Sequence, residues 1–480
     1  METEAAWKKY DEQDLQEVER IAADYIDFIS ENKTEREIAR ASIARAEAAG
    51  YRDLYEAFDE GRTLKPGDKV YAHIHGKAVI FAHLGKDSLV KGMNILGAHI
   101  DSPRLDLKQN PLFERNGLVH LDTHYYGGIK YYQWVTLPLA LHGVVAKKDG
   151  TVVSVNVGED ADDPVFCVSD LLIHLGKEQM KKTGGEVVAA EDLDVLVGSR
   201  PLVLGDDVAE KKEADKTELE KMVAKEPAKA LALQLLAEKY GIEEADLLSA
   251  EIEVVPAGRA REMGFDRSMI LGYGQDDSAC AHPSLLAQLA LADETPERTA
   301  LTVLVDKEEI GSVGATGMAS QFFENVVAML LELAGEGGDI ALRRALASSR
   351  MLSSDVSAAL DPAYASVFEP KNAAYLGHGL VFNKYTGARG KSGSNDASAE
   401  FVARIRRIMD DADVAFQTAE LGKVDAGGGG TIAYLPAKYG MDVIDSGVAV
   451  LSMHAPWEVT SKADLYEAYK GYLAFLRDAE

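Results

Sequence analysis

The sequence predicts an α/β fold in which a mixed, largely parallel sheet is flanked by helices and interrupted by a β-rich insertion. Three observations support this prediction. Short apolar runs end in Asp, Glu or His at five places along the chain, and helical patterns alternate with these runs. A long middle stretch is instead rich in β-branched and aromatic residues, which is typical of antiparallel strands and hairpins.

The chain opens with helices and continues into strands. Acidic and apolar residues recur at helical spacing from Asp14 to Ile29, and Thr34 with Glu37 forms a capping-box pattern before REIARASIARAEAAG. Three strand-like runs follow, KVYAHI, AVIFAHLG and NILGAHID. We expect these runs to begin the main sheet.

Between Asp101 and Asp276 the pattern changes. The stretch LDTHYYGGIKYYQWVTLPLALHGVVAKKDGTVVSVNVG favours strands, and KKDG supplies a hairpin turn. A highly charged, exposed segment follows near residues 207–250 and is helical in its second half. The sequence therefore predicts one α/β domain, formed by residues 1–101 and 256–480, and an inserted β-rich domain of residues 102–255.

Composition excludes several classes of partner. The 480 residues include 51 basic and 79 acidic side chains, a formal net charge of −28, which disfavours nucleic acid and anionic membranes. No run approaches the length of a membrane span, and METEAAWKKYDEQD lacks the apolar core of a signal peptide, so we expect a cytoplasmic protein. The 2 cysteines show no zinc-finger spacing.

Glu308 and Glu309 are the most informative pair in the chain. They follow the apolar run from Leu301 to Asp306, where a buried strand ends and a glycine-containing loop begins. One carboxylate at such a place can bind a metal while its neighbour moves a proton between water and substrate. Acidic pairs are common on solvated loops, so this pair alone does not distinguish a catalytic metal site from surface charge.

Four further apolar runs end in residue types that bind metals. In NILGAHID, residues two apart project to the same side, so Asp101 can sit beside His99 and fix the tautomer of a metal-bound imidazole. A lone Asp or His at a strand end is usually a helix cap or a structural group, but five such ends are hard to explain that way. The other candidates are Asp276 or Asp277, Asp355 and His454.

Charge balance indicates the kind of ion. Three carboxylates and a hydroxide balance two divalent cations, and the two neutral imidazoles add nitrogen ligands. This donor set suits zinc, with manganese or cobalt as alternatives, and it lacks the all-oxygen character expected for calcium. The proposed ligands are His99, Asp276, Glu309, Asp355 and His454.

The blocks GAHIDSPRLDLK, GQDDSAC, LVDKEEIGSVGATGM, LSSDVSAALDP and LSMHAPWE occur in this order. Together they resemble the aspartyl aminopeptidase family of dinuclear metallopeptidases, in a bacterial-type form. The resemblance implies a catalytic domain of the zinc-peptidase type and an inserted dimerisation domain, with dimers assembling into a tetrahedral dodecamer. It also implies peptide substrates with a free N-terminus.

The resemblance assigns roles to the candidate residues. It implies that Asp276, rather than Asp277, bridges two ions and that Glu308 is the general base for a metal-activated water. Asp101 would support His99 during catalysis. The remaining ligands would divide into His99 with Asp355 at one ion and Glu309 with His454 at the other.

Substrate contacts are predicted in the segment HGLVFNKYTGARGKSGSND, which also contains Arg389 and Lys391. The resemblance favours His378 as an oxyanion or substrate contact and Lys384 as a carboxylate contact, while solvated surface charge is the alternative for each. SDLLIHL resembles a family segment PHLAIHL but has Asp170 in place of its first histidine. A preference for acidic N-terminal residues therefore stays open.

Two other functions are compatible with the same residues. The site could serve a dinuclear-metal deacylase or carboxypeptidase, which would accept blocked substrates. Alternatively, the chain could be a non-catalytic shell or interaction protein that retains the fold, in which case it would show no activity with added metal.

Overall fold

The computed structural model describes residues 4–205, 216–387 and 390–479. Arg389 and part of the charged segment near 207–250 lie outside the described residues. The chain divides into two compact units, one formed by Met1–Ser102 with Arg259–Glu480 and the other by Pro103–Gly258. The second unit begins one residue later and ends three residues later than the insertion predicted at 102–255.

Helices begin and end near the positions that the sequence patterns indicate. The capping box at Thr34 is confirmed, because its hydroxyl accepts the Glu37 N–H and the Glu37 carboxylate accepts the Thr34 N–H. The helices of the described residues are α1 (Glu12–Glu31), α2 (Glu35–Ala48), α3 (Leu54–Asp59), α4 (Glu218–Lys225), α5 (Pro227–Tyr240), α6 (Gln275–Ala290), α7 (Phe322–Leu333), α8 (Asp339–Ala347), α9 (Ala399–Asp411), α10 (Tyr434–Ala437) and α11 (Lys462–Arg477).

Strands account for most of the remaining regular structure. In chain order they are β1 (Arg52–Asp53), β2 (Lys69–Ile74), β3 (Ala78–His83), β4 (Asn94–His99), β5 (Arg104–Arg115), β6 (Leu118–Tyr126), β7 (Leu139–Ala146), β8 (Val152–Val157), β9 (Cys167–Val168), β10 (Val195–Gly198), β11 (Ala250–Pro256), β12 (Arg261–Met263), β13 (Met269–Gly272), β14 (Ala300–Val305), β15 (Arg350–Ser354), β16 (Ser357–Ala358), β17 (Leu380–Asn383), β18 (Phe416–Thr418), β19 (Asp442–Gly447), β20 (Ala449–Leu451) and β21 (Glu458–Ser461).

The first unit has a mixed α/β fold built on a nine-stranded sheet. Its strand order is β1-β2-β3-β14-β4-β15-β19-β17-β18. The four central strands β14, β4, β15 and β19 are parallel to one another. Strand β3 is antiparallel to β14, and β17 is antiparallel to β19. The parallel centre brings the carboxyl ends of β14, β4 and β15 to one edge of the sheet.

Both faces of this sheet are buried, which suits the largely apolar sequence of central strand β14, ALTVLV. On one face, Leu96 and Ala98 pack with residues of α1, α6, α9 and α11. On the other face, Ile95 and Met351 pack with residues of α3, α7 and α8. The alternation of neighbouring residues between two cores is the two-residue period of a strand. This packing on both faces fixes the position at which each central strand ends.

A smaller sheet in the same unit has the strand order β12-β13-β21-β20-β16. Strand β21 lies antiparallel between β13 and β20, with Glu458 opposite Gly272. The loop between β20 and β21 contains His454, and the turn after β13 leads into α6. The small sheet therefore holds two otherwise separate loops beside each other.

The second unit contains a seven-stranded antiparallel sheet with the order β8-β7-β11-β5-β6-β10-β9. The KKDG hairpin is confirmed, since β7 and β8 pair on either side of it. The charged segment is helical in its second half, as predicted, and forms α4 and α5. No helix among the described residues is long and apolar enough to cross a membrane.

Candidate metal centre

Three of the sequence-predicted ligands lie where parallel strands end. His99 is the last residue of β4, and Asp355 directly follows β15. Glu309 lies in the short helical turn Glu308–Ile310 after β14. Because these strands are parallel neighbours, the three side chains reach the same edge of the sheet.

The other two predicted ligands come from loops of the small sheet. Asp276 lies at the start of α6, where Gly274 adopts a left-handed conformation (φ 69°) and the helix has not yet become regular. His454 lies in the loop between β20 and β21 and is itself left-handed (φ 64°). Neither residue is in a strand, so the position of each depends on how its loop is held.

Asp276 contacts both histidines. Its Oδ1 lies 3.1 Å from His99 Nε2, and its Oδ2 lies 3.1 Å from His454 Nε2. Asp355 Oδ1 is 3.9 Å from the same His99 nitrogen, and Glu309 Oε1 is 3.6 Å from the same His454 nitrogen. One carboxylate thus lies between two separate pairs of side chains.

These residues form groups that could each hold an ion. The ligand atoms of His99, Asp276 and Asp355 all lie within 4.8 Å of one another. The same is true of Asp276, Glu309 and His454, and of His99 with both Glu308 and Glu309. The first two groups each offer one imidazole nitrogen and two carboxylates, a donor set that fits zinc.

Asp101 connects the histidine to the acidic pair. Its Oδ1 accepts the Glu308 N–H and its Oδ2 accepts the Glu309 N–H, each at 3.2 Å. His99 Nδ1 lies 3.0 Å from the Asp101 carbonyl oxygen and 3.4 Å from its carboxylate. The carbonyl is the better acceptor by distance, and it fixes Nε2 as the nitrogen available to a metal.

Electrostatics show that the centre contains more buried acid than its own histidines can balance. Burial raises the pKa of Glu309, and the nearby Asp276 raises it further. Burial and then Glu308 raise the pKa of Asp355 well above its ordinary value. Burial alone would lower the pKa of His99, but Asp101 and Asp276 raise it well above its usual range. Buried carboxylates crowded in this way favour a cation among them.

Close packing supports the position of Asp355. Gly447, the last residue of β19, lies so near that a Cβ atom there would be 1.8 Å from the Asp355 carbonyl oxygen. A glycine is therefore required by the approach of the two backbones. The Asp355 N–H donates to the Ser446 carbonyl oxygen, which extends the strand pairing to this predicted ligand.

Three further residues contact the backbone of the predicted ligands. The sequence did not indicate Glu458 or Ser102, and it offered Asp277 only as an alternative to Asp276. Glu458 accepts the N–H groups of both Asp276 and His454. Asp277 accepts the His99 N–H at 3.3 Å and belongs to none of the three groups of candidate metal ligands. Ser102 Oγ donates to the Asp276 carbonyl oxygen at 2.8 Å. Glu458 lies in the block LSMHAPWE, but only strand pairing shows which way its side chain points.

The predicted substrate contacts flank strand β17 of the first unit. His378 precedes β17, and its ring lies 5.5 Å from that of Tyr375 between centroids. Lys384 follows β17 and forms an ion pair with Asp396 at 3.4 Å; Lys391 also pairs with Asp396. His378 belongs to none of the three groups of candidate metal ligands found among the described residues. Arg389 lies outside the described residues.

Comparison with known proteins identifies the family. The sequence model of the aminopeptidase I zinc metalloprotease family (M18) matches residues 28–476. The chain belongs to this family. A probable M18 family aminopeptidase 1 of Clostridium acetobutylicum is 56% identical over 473 residues, which cover 98% of each chain. The protein is therefore a metallo-aminopeptidase, and its family is one of zinc enzymes.

Solved structures agree with the fold of this M18 aminopeptidase. The crystal structure of an M18 family aminopeptidase from Thermotoga maritima matches with a TM-score of 0.90 at 41% identity and covers 99% of each chain. The yeast mApe1 dodecamer matches with a TM-score of 0.74 at 21% identity and covers 95% of this chain and 96% of that one. At that identity the second match shows the fold alone.

Zinc should stabilise this aminopeptidase measurably, because an ion relieves repulsion among the buried carboxylates only in the folded state. With free zinc at 100 times its Kd, we expect the free energy of unfolding to rise by about 2.7 kcal/mol per ion. Thermal melting of chelator-treated protein across a zinc titration measures this. Magnesium at equal ionic strength is the control, and an identical melting curve with and without zinc would contradict the assignment.

Proposed function

We propose that this M18 aminopeptidase removes N-terminal residues from peptides with two divalent ions that share the Asp276 carboxylate. The observation that carries the proposal is that each oxygen of Asp276 faces a different histidine at 3.1 Å. Each histidine is accompanied by a further carboxylate, Asp355 in one group and Glu309 in the other. Zinc is the favoured ion, and manganese or cobalt would suit the same donors.

When bound, the ions would lower the pKa of a shared water and polarise the scissile carbonyl. The residues supply the other parts of the reaction. His99 and Asp355 would hold one ion, Glu309 and His454 would hold the other, and Asp276 would be shared between them. The free α-amino group of the substrate would complete the ligands of one ion. Such a contact would restrict the enzyme to substrates with a free N-terminus.

Glu308 is proposed as the general base. Its backbone N–H is held by Asp101, and its carboxylate lies in a group with His99 and Glu309, whose ligand atoms are all within 4.8 Å. A carboxylate there can accept a proton from the attacking water and return it to the leaving amine. Asp101 supports both steps because it holds the Glu308–Glu309 backbone and orients His99.

Replacing Glu308 by Gln should reduce turnover by about two to four orders of magnitude, since the amide keeps the shape of the side chain but cannot accept the proton. The number of bound ions should stay the same. Steady-state kinetics combined with metal analysis of the purified variant measures both. Near-normal turnover in Glu308→Gln would exclude this residue as the base.

Glu309→Gln provides the matched control at the neighbouring position. It makes the same chemical change, but we expect loss of one ion because Glu309 is proposed as a ligand. Activity of this variant should recover partly at high zinc, whereas that of Glu308→Gln should not. If both variants keep full metal content, the division of roles between the two residues is wrong.

The residue that the enzyme removes depends on groups outside the metal centre. We propose His378 as an oxyanion or substrate contact and Lys384 as a contact for a substrate carboxylate, both on the basis of the family resemblance. Asp396 already neutralises part of the charge of Lys384. Asp170 replaces a family histidine, and its carboxylate accepts the Leu171 N–H at 2.7 Å and the Gln179 side-chain N–H at 2.9 Å. These charges argue against a strict preference for acidic residues.

A panel of Asp, Glu, Leu and Lys anilides should therefore show cleavage beyond the two acidic substrates. Removing the carboxylate with Asp170→His should raise the rate for Asp and Glu relative to Leu, because a negative charge that would repel their carboxylates is lost. N-blocked peptides are the negative control. Hydrolysis of blocked substrates alone would instead support a deacylase or carboxypeptidase, and no hydrolysis with zinc, manganese or cobalt would support a non-catalytic protein.

We also propose that the inserted β-rich unit is a dimerisation domain and that dimers assemble further. The unit exposes an apolar run in which Leu171, Leu172, Ile173 and Leu175 are each 47–70% exposed, and runs of this kind mark interaction surfaces. The yeast relative named above is a dodecamer. A dodecamer is therefore the largest assembly that we propose here, and its tetrahedral arrangement rests on the family resemblance.

Light scattering on the purified protein should report a mass well above 51.9 kDa, the mass of one chain. Replacing Leu172 and Ile173 with Lys should reduce that mass, because charged side chains would be buried without partners in the interface. The same substitution at exposed Val424, in the other unit, is the control. A monomeric wild-type protein would contradict the assembly.

A further inference from the structure

We infer that Glu458 is a positioning residue that sets the spacing of the two metal sites by holding Asp276 and His454 at once. Its Oε1 accepts the His454 N–H at 2.8 Å, and its Oε2 accepts the Asp276 N–H at 3.1 Å. The inference rests on the proposed function, in which Asp276 is the shared ligand and His454 belongs to one ion. Glu458 itself contacts the backbone of these ligands and is not a ligand.

The carboxylate is held firmly enough to act as a reference point. Glu458 is the first residue of β21 and pairs with Gly272 of β13. Gln275 Nε2 also donates to the Glu458 carbonyl oxygen, and Gln275 immediately precedes Asp276. The side chain is 2% exposed. The small sheet therefore fixes the position of the Glu458 carboxylate, which accepts hydrogen bonds from the two segments that contain Asp276 and His454.

His454 needs such a restraint more than His99 does. His99 ends a strand and its side chain is 1% exposed, whereas the His454 side chain is 34% exposed and lies in a loop. The left-handed conformation of His454 (φ 64°) is unfavourable for a residue with a Cβ. A hydrogen bond from its own N–H to a buried carboxylate stabilises that conformation.

Two backbone N–H groups, those of Asp276 and His454, need two acceptor oxygens on one side chain, and a carboxylate supplies them. Each oxygen of Glu458 faces one donor, so both oxygens must accept. A glutamine has the same shape but can accept at only one end, because its NH₂ group would face the second N–H. Glu458→Gln should therefore release either His454 or Asp276 without leaving a cavity.

A second buried carboxylate offers a matched control. Asp464 accepts the N–H groups of Gly377 and Gly379, each at 2.7 Å, and it is fully buried. Asp464→Asn makes the same change, from a carboxylate to an amide that faces two backbone donors. Its loop carries the proposed substrate contact His378 but no proposed metal ligand, so metal affinity and not turnover is compared. Both variants should lose comparable stability, so metal affinity separates a positioning role from a merely structural one.

The decisive measurement is zinc affinity, determined by competition with a chromophoric chelator and by metal analysis after dialysis. Glu458→Gln should bind one of its two ions about 10–100-fold more weakly than wild type, in the range seen when groups that orient metal ligands are removed. Asp464→Asn should bind both ions with wild-type affinity. Thermal melting of the metal-free variants checks that their folds are comparably stable.

Glu458→Asp distinguishes the effect of the position of the carboxylate from the effect of its charge. It also replaces Glu458→Gln as the test variant if Glu458→Gln does not fold. The shorter side chain keeps the negative charge but cannot reach both N–H groups, so zinc affinity should also fall. Wild-type affinity in Glu458→Asp, or equal weakening in Glu458→Gln and Asp464→Asn, would overturn the inference. Wild-type protein that binds no zinc would instead refute the proposed function itself.

Discussion

The arrangement of the centre depends on one buried carboxylate lying between two histidines. Asp276 reaches His99 with one oxygen and His454 with the other, although the chain positions of these residues are far apart. Around them lie further acids whose burial and mutual repulsion raise their pKa values. Such crowding is unfavourable unless cations are present, so the stability of this region and its chemistry are coupled.

The fold holds this arrangement by two different means. The parallel order of β14, β4 and β15 places the Glu308–Glu309 turn, His99 and Asp355 at one edge, because parallel strands end together. The two remaining predicted ligands, Asp276 and His454, come from irregular backbone and are held by hydrogen bonds instead. Asp101 holds the N–H groups of the acidic pair, and Glu458 holds those of Asp276 and His454. Asp101 and Glu458 thus both act by accepting hydrogen bonds from the backbone N–H groups of other residues.

Much of the fold could be predicted because its signals are local. Apolar runs of strand length, the Thr34 capping box and the KKDG hairpin each depend on a few neighbouring residues, and each was found at or near its predicted position. The predicted ligands stand directly after such runs, or in loops beside them. The structure brings all five together, while it places Lys384 in an ion pair with Asp396.

The sequence by itself determined which residue types occur at the strand ends and, through its resemblance to one family, the chemistry to expect from them. Only the tertiary structure decided which oxygen faces which histidine. Asp276 and Asp277 are equivalent in the sequence, but irregular backbone at the start of α6 directs one towards the two histidines and the other towards the His99 N–H. The position of Glu458 likewise follows from the pairing of β21 with β13. Such choices depend on contacts between distant segments, and no local pattern encodes them.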